Sequence, residues 1–282
     1  MQEGTRRFRA ARLAYGHGTL NPRDEAAYLT LHALKLPLDT PARAFARTVN
    51  GREAQRARIL FNRRIRSRKP SAYLTKEAWL GDLRFFVDER VIVPRSHIAD
   101  LLRENLAPWI SARDNVSAAL DLCTGSGCLA VLLARSFPRA RVDAADVSLA
   151  ALAVARINVR QYRLGKRIRL VGSDLFSALS GKRYDLIVCN PPYVTAAAMK
   201  RLPREHRHEP RMALAGGPDG LDLVRTILQR AAGHLHPGGL LVMEVGSGRL
   251  RVEHAFPRIE FTWPDVPGGG DVLVVRREQL PG

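Results

Sequence analysis

The residues best suited to chemistry in this chain form the tetrapeptide Asn-Pro-Pro-Tyr at Asn190–Tyr193. They follow the apolar segment Tyr184–Cys189, whose composition predicts a buried strand. Two consecutive prolines can join neither a helix nor a sheet ladder, so they fix a rigid, extended turn. We therefore expect an amide side chain and a phenol ring at the carboxyl edge of a sheet, where open α/β folds bind ligands.

The Asn190 side chain suits a reaction at a planar nitrogen. The lone pair of an amide or an aromatic amine is delocalised, which makes such a nitrogen a weak nucleophile. If the Asn190 oxygen and the Pro191 carbonyl accept its two N–H bonds, the nitrogen is aligned and its lone pair is directed at an electrophile. Tyr193 can stack on the target plane or enclose it. With an electrophile as reactive as a sulfonium methyl group, no strong base is needed.

A glycine turn upstream, Asp121–Gly127 with the sequence Asp-Leu-Cys-Thr-Gly-Ser-Gly, predicts a cofactor site. Asp146 follows Gly127 by 19 residues at the end of the next predicted strand, where an acid binds ribose hydroxyls. Asp174 ends the third strand and is expected to accept a hydrogen bond from an adenine amino group, while Leu175 covers the ring. The turn indicates an adenosine-type cofactor, NAD or S-adenosylmethionine. With the Asn190 motif, it points to methylation of an amide or amino nitrogen.

These motifs also have structural interpretations. The glycine turn alone fits a tight turn, Asp146 or Ser148 could cap the next helix, and Asp174 could be a solvated loop residue. His206-x-His208-Glu209 is the best metal candidate, but it lacks a second ligand pair at a suitable spacing, so no metal is expected. Three cysteines form no disulfide framework, which is typical of a cytoplasmic protein.

Strands and helices alternate from about residue 117 onward. We predict strands at 118–122, 141–146, 168–172, 184–189 and 239–245, and two closing strands at 259–262 and 271–276. Strongly apolar strands in βα units predict an α/β fold with a parallel sheet covered on both faces. This catalytic domain would comprise residues 95–282.

Residues 1–75 predict a small helical domain. Asn21-Pro22 is a helix start, Thr40-Pro41 repeats that signal, and residues 52–66 place apolar side chains on one helical face and arginines elsewhere. Residues 76–94 alternate as paired strands do and predict a hairpin linker.

The charge of the chain is concentrated near its start. The formal net charge is +18, and residues 1–75 hold 16 basic against five acidic residues. Such an excess favours polyanionic partners, phosphate backbones above all. No run of about 18 uncharged apolar residues is present, so we predict no membrane span.

The motifs, in their order, resemble those of the protein-glutamine N-methyltransferases. The shared segments are Asp121–Gly127, Asp146–Ser148, Ser173–Phe176, Asn190–Tyr193 and His208–Pro210. The resemblance covers nearly the whole chain. It implies a class I S-adenosylmethionine-dependent methyltransferase with a Rossmann-like, mostly parallel seven-stranded sheet, a small N-terminal helical domain and a hairpin linker.

Further segments are similar to the branch that methylates large-subunit ribosomal protein three. These are Tyr15–Thr19, Asp24–Ala26, Ala72–Thr75, Ala78-Trp79, Val91–Ser96, Cys123 and Ala213–Val224. The release-factor-modifying branch would carry Pro-Glu after Arg95, where this chain has Ser96-His97.

The resemblance assigns roles to individual residues. The cofactor, with S-adenosylhomocysteine as its product, would be bound by Asp121, Cys123, Thr124, Gly125, Ser126, Gly127, Asp146, Val147, Asp174, Leu175 and Asn190. The substrate glutamine would be held by the catalytic residues Asn190, Pro191, Pro192 and Tyr193, with Arg95, Glu209 and Pro210 near the substrate mouth. Cys123 stands at a position where glycine is usual, so its side chain is expected to point away from the methionine part of the cofactor.

Several functions fit these observations. We favour glutamine methylation of a ribosomal protein in an RNA-bound, nascent or pre-ribosomal state. The basic N-terminal domain would dock this target by contacting either ribosomal RNA or the protein alone. Methylation of release factors, or of a flipped adenine in nucleic acid, uses the same chemistry. DNA enzymes of that type usually carry a larger recognition domain than residues 1–75. A non-catalytic RNA-binding protein need not keep Gly125, Gly127, Asp146 and Asn190, and an oxidoreductase lacks a candidate hydride-transfer site.

Overall fold

The computed structural model describes residues 1–41 and 48–281. Its first part holds four helices, α1 (Gln2–Ala10), α2 (Pro22–Leu34), α3 (Gly51–Ser67) and α4 (Ser71–Thr75). The start of α2 agrees with the prediction, because the Asn21 side chain accepts hydrogen bonds from the N–H groups of Arg23 and Asp24. The helix predicted to begin at Thr40-Pro41 concerns residues 42–47, which lie outside the described residues.

These N-terminal helices pack around a small core of their own. Phe8 and Phe61 meet edge to face with ring centroids 5.3 Å apart, and Ala26 and Leu29 belong to the same buried cluster. A Cβ atom at Gly4 would lie 2.8 Å from the Phe61 ring, so α1 approaches α3 closely only because residue 4 has no side chain. The domain boundaries at residues 75 and 94 stay a prediction.

A two-stranded antiparallel hairpin follows, built from β1 (Glu77–Leu80) and β2 (Leu83–Phe86). The remaining strands form one sheet: β3 (Ala118–Leu122), β4 (Arg141–Asp146), β5 (Ile168–Gly172), β6 (Tyr184–Cys189), β7 (Leu235–Gly246) and β8 (Asp271–Arg276). Their order across the sheet is β5-β4-β3-β6-β7-β8, and only the β7–β8 pair is antiparallel. Strands β4 and β5 lie on one side of β3, and strands β6 to β8 lie on the other. The sheet therefore has a topological switch point between β3 and β6, and such sheets bind ligands at this position.

Six helices accompany the sheet: α5 (Ile98–Arg103), α6 (Cys128–Ser136), α7 (Leu149–Gln161), α8 (Ala196–Arg201), α9 (Asp222–Arg230) and α10 (Arg249–Ala255). Along β6, Leu186 and Val188 join one core cluster, whereas Ile187 and Cys189 join the other. The sheet is therefore buried on both faces, as the βα pattern predicts. Within the described residues, no helix combines the length and apolar content that crossing a membrane requires.

The buried Asn158 side chain ties the hairpin to α7 and to the glycine turn. Asn158 of α7 accepts a hydrogen bond from the Phe86 N–H at 2.7 Å and donates to the Phe86 carbonyl at 3.0 Å. It also donates to the carbonyl of Ser126 at 2.8 Å. Asn158 thereby fixes the end of the hairpin against the glycine turn.

The fold class predicted from the sequence is confirmed, with one correction to the strand count. The seventh strand, expected at 259–262, is a single antiparallel bridge in which Thr262 and Val274 exchange hydrogen bonds of 2.9 and 2.8 Å. Pro257 and Pro264 flank this segment, and proline lacks the N–H group that a ladder needs. Among the described residues, the central sheet thus has six continuous strands.

Candidate active site

A cavity of about 220 Å³ lies at the carboxyl ends of β3, β4, β5 and β6. Seven of the residues predicted to bind the cofactor line it: Cys123, Gly125, Asp146, Val147, Asp174, Leu175 and Asn190. The other four, Asp121, Thr124, Ser126 and Gly127, belong to the glycine turn but are not among the lining residues. For all eleven residues, contact with the cofactor stays a prediction.

The glycine turn bends through left-handed backbone conformations. Its φ angles are +61° at Cys123, +54° at Gly125 and +78° at Gly127. A side chain is strained in such conformations, so Cys123 occupies a backbone position that favours glycine. A Cβ atom at Gly127 would also lie 3.1 Å from the Cβ atom of Ala155, so this glycine lets α6 pack closely on α7.

Asp121 supports the turn from within the core. Its Oδ2 atom accepts hydrogen bonds from the Thr124 hydroxyl at 2.5 Å and the Ala130 N–H at 2.8 Å. Burial raises the pKa of Asp121 to about 7, although these two hydrogen bonds act in the opposite direction. This carboxyl therefore joins the turn to the first turn of α6.

Asp146 connects the turn to the end of β4. One carboxylate oxygen accepts the Gly125 N–H at 2.8 Å, and the other accepts the Ser148 N–H at 2.8 Å. The cap of α7 is supplied by Ser148, whose hydroxyl accepts the Ala151 N–H at 3.1 Å. Each Asp146 oxygen keeps a lone pair, so the residue lining the cavity can still accept hydrogen bonds from hydroxyl groups.

A second cavity, of about 190 Å³, adjoins the first. It is lined by Arg95, Asn190, Pro191, Tyr193 and His206 together with Ile92, Val194, Leu202, Ala213 and Leu214. Asn190, Ile92 and Ala213 line both cavities. Among the described residues, no hydrogen bond engages the Asn190 side chain, so its amide is available at the boundary between the two spaces.

The Tyr193 side chain is anchored to β7 by a hydrogen bond. Its hydroxyl donates to Glu244 at 3.1 Å, and the buried Glu244 carboxylate also accepts the Ser96 hydroxyl at 2.6 Å and the His97 N–H at 2.9 Å. Burial first, and then Glu244, raise the pKa of Tyr193 well above its usual value. Tyr193 is therefore a neutral, fixed phenol.

Arg95 and Glu209 form a bidentate ion pair beside the second cavity. The two nitrogen–oxygen distances are 2.5 and 2.8 Å, and Glu209 also accepts the Val93 N–H at 2.9 Å. Although burial raises the pKa of Glu209, His17 and Arg95 lower it to about 2. Arg95 lines the second cavity, whereas Pro210 lines the first, and their place at the substrate mouth stays a prediction.

Known proteins resemble this chain over most of its length. The family model for the methyltransferase small domain matches residues 99–205. The ribosomal protein uL3 glutamine methyltransferase of Bordetella pertussis is 54% identical over 97% of this chain and 92% of its own length. The proteins of the same name from Neisseria meningitidis serogroup A and Burkholderia pseudomallei are 51% and 48% identical, each over 98% of this chain and 91% and 92% of their own lengths. This chain belongs to the ribosomal protein uL3 glutamine methyltransferases.

Two solved structures resemble this chain in fold. A methyltransferase from Pyrococcus furiosus has a TM-score of 0.51 and 19% identity, covering 79% of this chain and 98% of that one. The hMettl16 catalytic domain in complex with MAT2A 3′UTR hairpin 1 has a TM-score of 0.51 and 20% identity, covering 89% of this chain and 90% of that one. At such identities the likeness concerns the class I methyltransferase fold alone.

The structure adds residues that the sequence analysis did not identify in this member of the uL3 glutamine methyltransferases. Ile92 and Ala213 are apolar, so no chemical type marks them as site residues. Glu244 had a signal, because a carboxylate inside the apolar strand Leu240–Val245 must find a partner when buried.

The three residues of the His206-x-His208-Glu209 motif do not form one cluster in the structure. His206, His17 and Glu209 place their ligand atoms within 4.8 Å of one another, whereas the His208 Nε2 atom lies 2.9 Å from the carbonyl oxygen of Ser67. Burial and the neighbouring His17 lower the pKa of His206 to about 4. The third member of this cluster comes from a turn almost 190 residues away, which a search for local spacing does not include.

Proposed function

We propose that this enzyme transfers a methyl group from S-adenosylmethionine to the side-chain amide nitrogen of a glutamine in ribosomal protein uL3. The observation that carries the proposal is the position of Asn190, which borders both cavities. A donor in the first cavity and an amide in the second would meet at this residue. Relatives about half identical over nearly the whole chain are named for this reaction.

The first cavity fits S-adenosylmethionine in its donor and acceptor groups. Asp146 would accept the ribose hydroxyls with the lone pairs that the Gly125 and Ser148 N–H groups leave unused. Leu175 and Met212 offer apolar walls for an adenine ring, and Asp174 lies at the same cavity for its amino group. The bound sulfonium would supply an electrophilic methyl group.

The second cavity supports a side-chain amide as the acceptor. A primary amide has two N–H groups, and the Asn190 oxygen and the Pro191 carbonyl are two acceptors on adjacent residues. Pro191 and Pro192 restrict the backbone, so these acceptors are oriented before the substrate arrives. Tyr193, fixed by Glu244, gives the amide plane a flat apolar wall.

We infer that the chain's residues promote the reaction by alignment and hydrogen bonding. Two oriented acceptors place the amide nitrogen in line with the methyl group and increase its electron density, which lowers the barrier of a reaction between two bound groups. The nitrogen loses a proton after methyl transfer. Because the protonated amide is strongly acidic, this step needs only an acceptor of ordinary basicity such as water.

We also propose that uL3 is recognised in an RNA-bound or pre-ribosomal state in the cytoplasm. Support comes from the 16 basic residues of the first 75 and from their placement. The α3 side chains of Arg52, Arg56, Arg63 and Arg66 are all exposed. An arginine-rich helix face binds phosphates through charge and is weakened by salt.

The test of this function is methyl transfer to ribosomal material from cells that lack the protein. With labelled S-adenosylmethionine, we expect label on one large-subunit protein, located by mass spectrometry on a uL3 glutamine. Label on a release factor would replace uL3 with that target. Label on nucleic acid would instead support adenine methylation.

A further inference from the structure

The turn Tyr15–Thr19 between α1 and α2 is built around a buried histidine. Gly16 and Gly18 have φ angles of +112° and +95°, and the Gly16 N–H donates to the Thr19 carbonyl at 2.9 Å. Both glycines adopt backbone conformations that a side chain would strain. His17 between them is only 4% exposed. The turn therefore directs one imidazole into the protein.

His17 faces the substrate side of the active site. Its Nε2 atom lies 3.5 Å from a carboxylate oxygen of Glu209, and its ring centroid lies 4.3 Å from that of His206. Neither ring nitrogen of His17 forms a hydrogen bond with any described residue. Buried polar groups are nearly always satisfied in native proteins, so an imidazole held here calls for a specific explanation.

The segment that His17 contacts rests on the N-terminal helices. Glu205 accepts the Ala14 N–H at 3.1 Å and an Arg68 N–H at 3.0 Å, and the fully buried Arg64 lies 3.6 Å from the same oxygen. The His208 ring forms a hydrogen bond with the Ser67 carbonyl group. Residues 204–209 are thus positioned by the N-terminal helices at several points.

This segment also forms the wall of the second cavity. His206 lines that cavity, and Glu209 holds Arg95, which lines it too. A continuous set of contacts therefore runs from His17 through Glu209 to Arg95. The Arg95 guanidinium is thus linked through Glu209 to a residue of the N-terminal helical region.

A metal ion is the competing explanation for this cluster, since two imidazoles and a carboxylate are a zinc ligand set. The charges argue against it. Arg95 already neutralises Glu209 and occupies both of its oxygens. A divalent cation would add two buried positive charges beside the Arg95 guanidinium, which is costly without further anionic ligands.

We propose that His17 is a positioning residue for the protein substrate, acting through Glu209 on Arg95. The inference rests on the proposed function, because it assigns the second cavity to the substrate. It gives the N-terminal helices a part in forming the substrate site in addition to docking. S-adenosylmethionine binding is independent of it, since none of the residues that the structure describes up to Thr75 lines the first cavity.

The test compares two substitutions in the full-length enzyme. His17→Gln keeps a polar N–H group on the side of Glu209, and His17→Phe keeps the ring shape without a nitrogen. For His17→Phe we expect kcat/KM for uL3 to fall about tenfold to a hundredfold, because small misplacements at a substrate site cost that much. For His17→Gln, and for the exposed control His254→Gln, we expect values within about threefold of wild type. The affinity for S-adenosylmethionine should stay unchanged in all three.

Each outcome decides the inference. If His17→Phe keeps the wild-type kcat/KM and His17→Gln loses it, the His17 ring serves packing alone and the proposal is wrong. The proposal is also wrong if His17→Phe lowers the affinity for S-adenosylmethionine by as large a factor as it lowers kcat/KM. A zinc-induced rise in melting temperature that His17→Gln abolishes would assign the cluster to a metal. If His17→Phe does not fold, His17→Asn replaces it, since its amide falls short of Glu209. Wild-type enzyme that fails to methylate uL3 would contradict the proposed function instead.

Discussion

The Tyr193 hydroxyl donates a hydrogen bond of 3.1 Å to Glu244, a carboxylate buried in β7. The same carboxylate accepts the Ser96 hydroxyl and the His97 N–H. One acid therefore joins the Asn-Pro-Pro-Tyr turn, the central sheet and the segment that follows the hairpin. The ring of Tyr193 is fixed by the core of the catalytic sheet before any substrate binds.

Glu244→Gln tests this anchor. An amide cannot accept all three hydrogen bonds, so Tyr193 loses its fixed position. We expect kcat/KM for uL3 to fall about tenfold, because hydrogen bonds to charged groups contribute roughly 1.5–3 kcal/mol. The S-adenosylmethionine affinity, measured by calorimetry, should be unchanged. Glu253→Gln, in a surface pair with Arg249, is the control and should retain wild-type kinetics. Unaltered kcat/KM in Glu244→Gln would show that the hydrogen bond from Tyr193 to Glu244 does not contribute to activity.

Gly246→Ala tests the packing of the same ring. A Cβ atom at Gly246 would lie 2.5 Å from the Tyr193 ring, and its φ is +64°. Gly181 has a similar φ of +70°, but a Cβ atom there would meet nothing within 4 Å. Both alanine variants should lose roughly 1–2 kcal/mol of unfolding free energy through backbone strain. Only Gly246→Ala should also lose methyl transfer to uL3, measured by steady-state kinetics; equal activity in both would show that the ring position is unimportant.

Asp121 predicts a pH dependence of stability. Its pKa is raised from 3.8 to about 7, so between these values the folded protein binds a proton that the unfolded chain does not. The contribution of this group to stability is therefore greatest near pH 4 and is lost as pH rises to 7. Relative to Asp121→Asn, the wild type should lose up to about 4 kcal/mol of unfolding free energy over this range. Urea titrations at several pH values measure the difference, and a constant difference would contradict the assignment.

The exposed arginines of α3 predict a salt-dependent interaction. Replacing Arg52, Arg56, Arg63 and Arg66 with glutamine should raise KM for RNA-bound uL3 and flatten its dependence on salt concentration. Activity on free uL3 should be unchanged, because the second cavity is remote in sequence from these side chains and lined by none of them. The same loss on both substrates would show that α3 binds protein and not RNA.

The parts of the candidate site that depend on local sequence pattern could be predicted from the sequence. The glycine turn, the strand end at Asp146 and the Asn190 motif follow from residue types and spacing within a few tens of residues. The direction of the Asp121 side chain does not follow in this way, because several nearby donors could satisfy a buried carboxylate. In the structure the Thr124 hydroxyl and the Ala130 N–H donate to it.

The remaining features depend on contacts between distant segments. His17 and Glu209 are separated by most of the helical region, the hairpin and four of the six strands of the catalytic sheet, and no periodicity links them. Tyr193 and Glu244 meet because β6 and β7 are neighbours, which the sequence order suggests, but the register that pairs Cys189 with Met243 comes from the sheet itself. Tertiary register is set by side-chain packing across the sheet and not by any one segment.

The measurement that tests the central claim most directly is the rate of methyl transfer to uL3 by wild type and Asn190→Ala. Peptide mass spectrometry should locate one methyl group on a glutamine side chain. Loss of the amide acceptor should lower kcat by about 10²–10³, with S-adenosylmethionine affinity within about threefold of wild type. A variant that methylates uL3 at the wild-type rate, or a methyl group located on another residue type, would contradict the account.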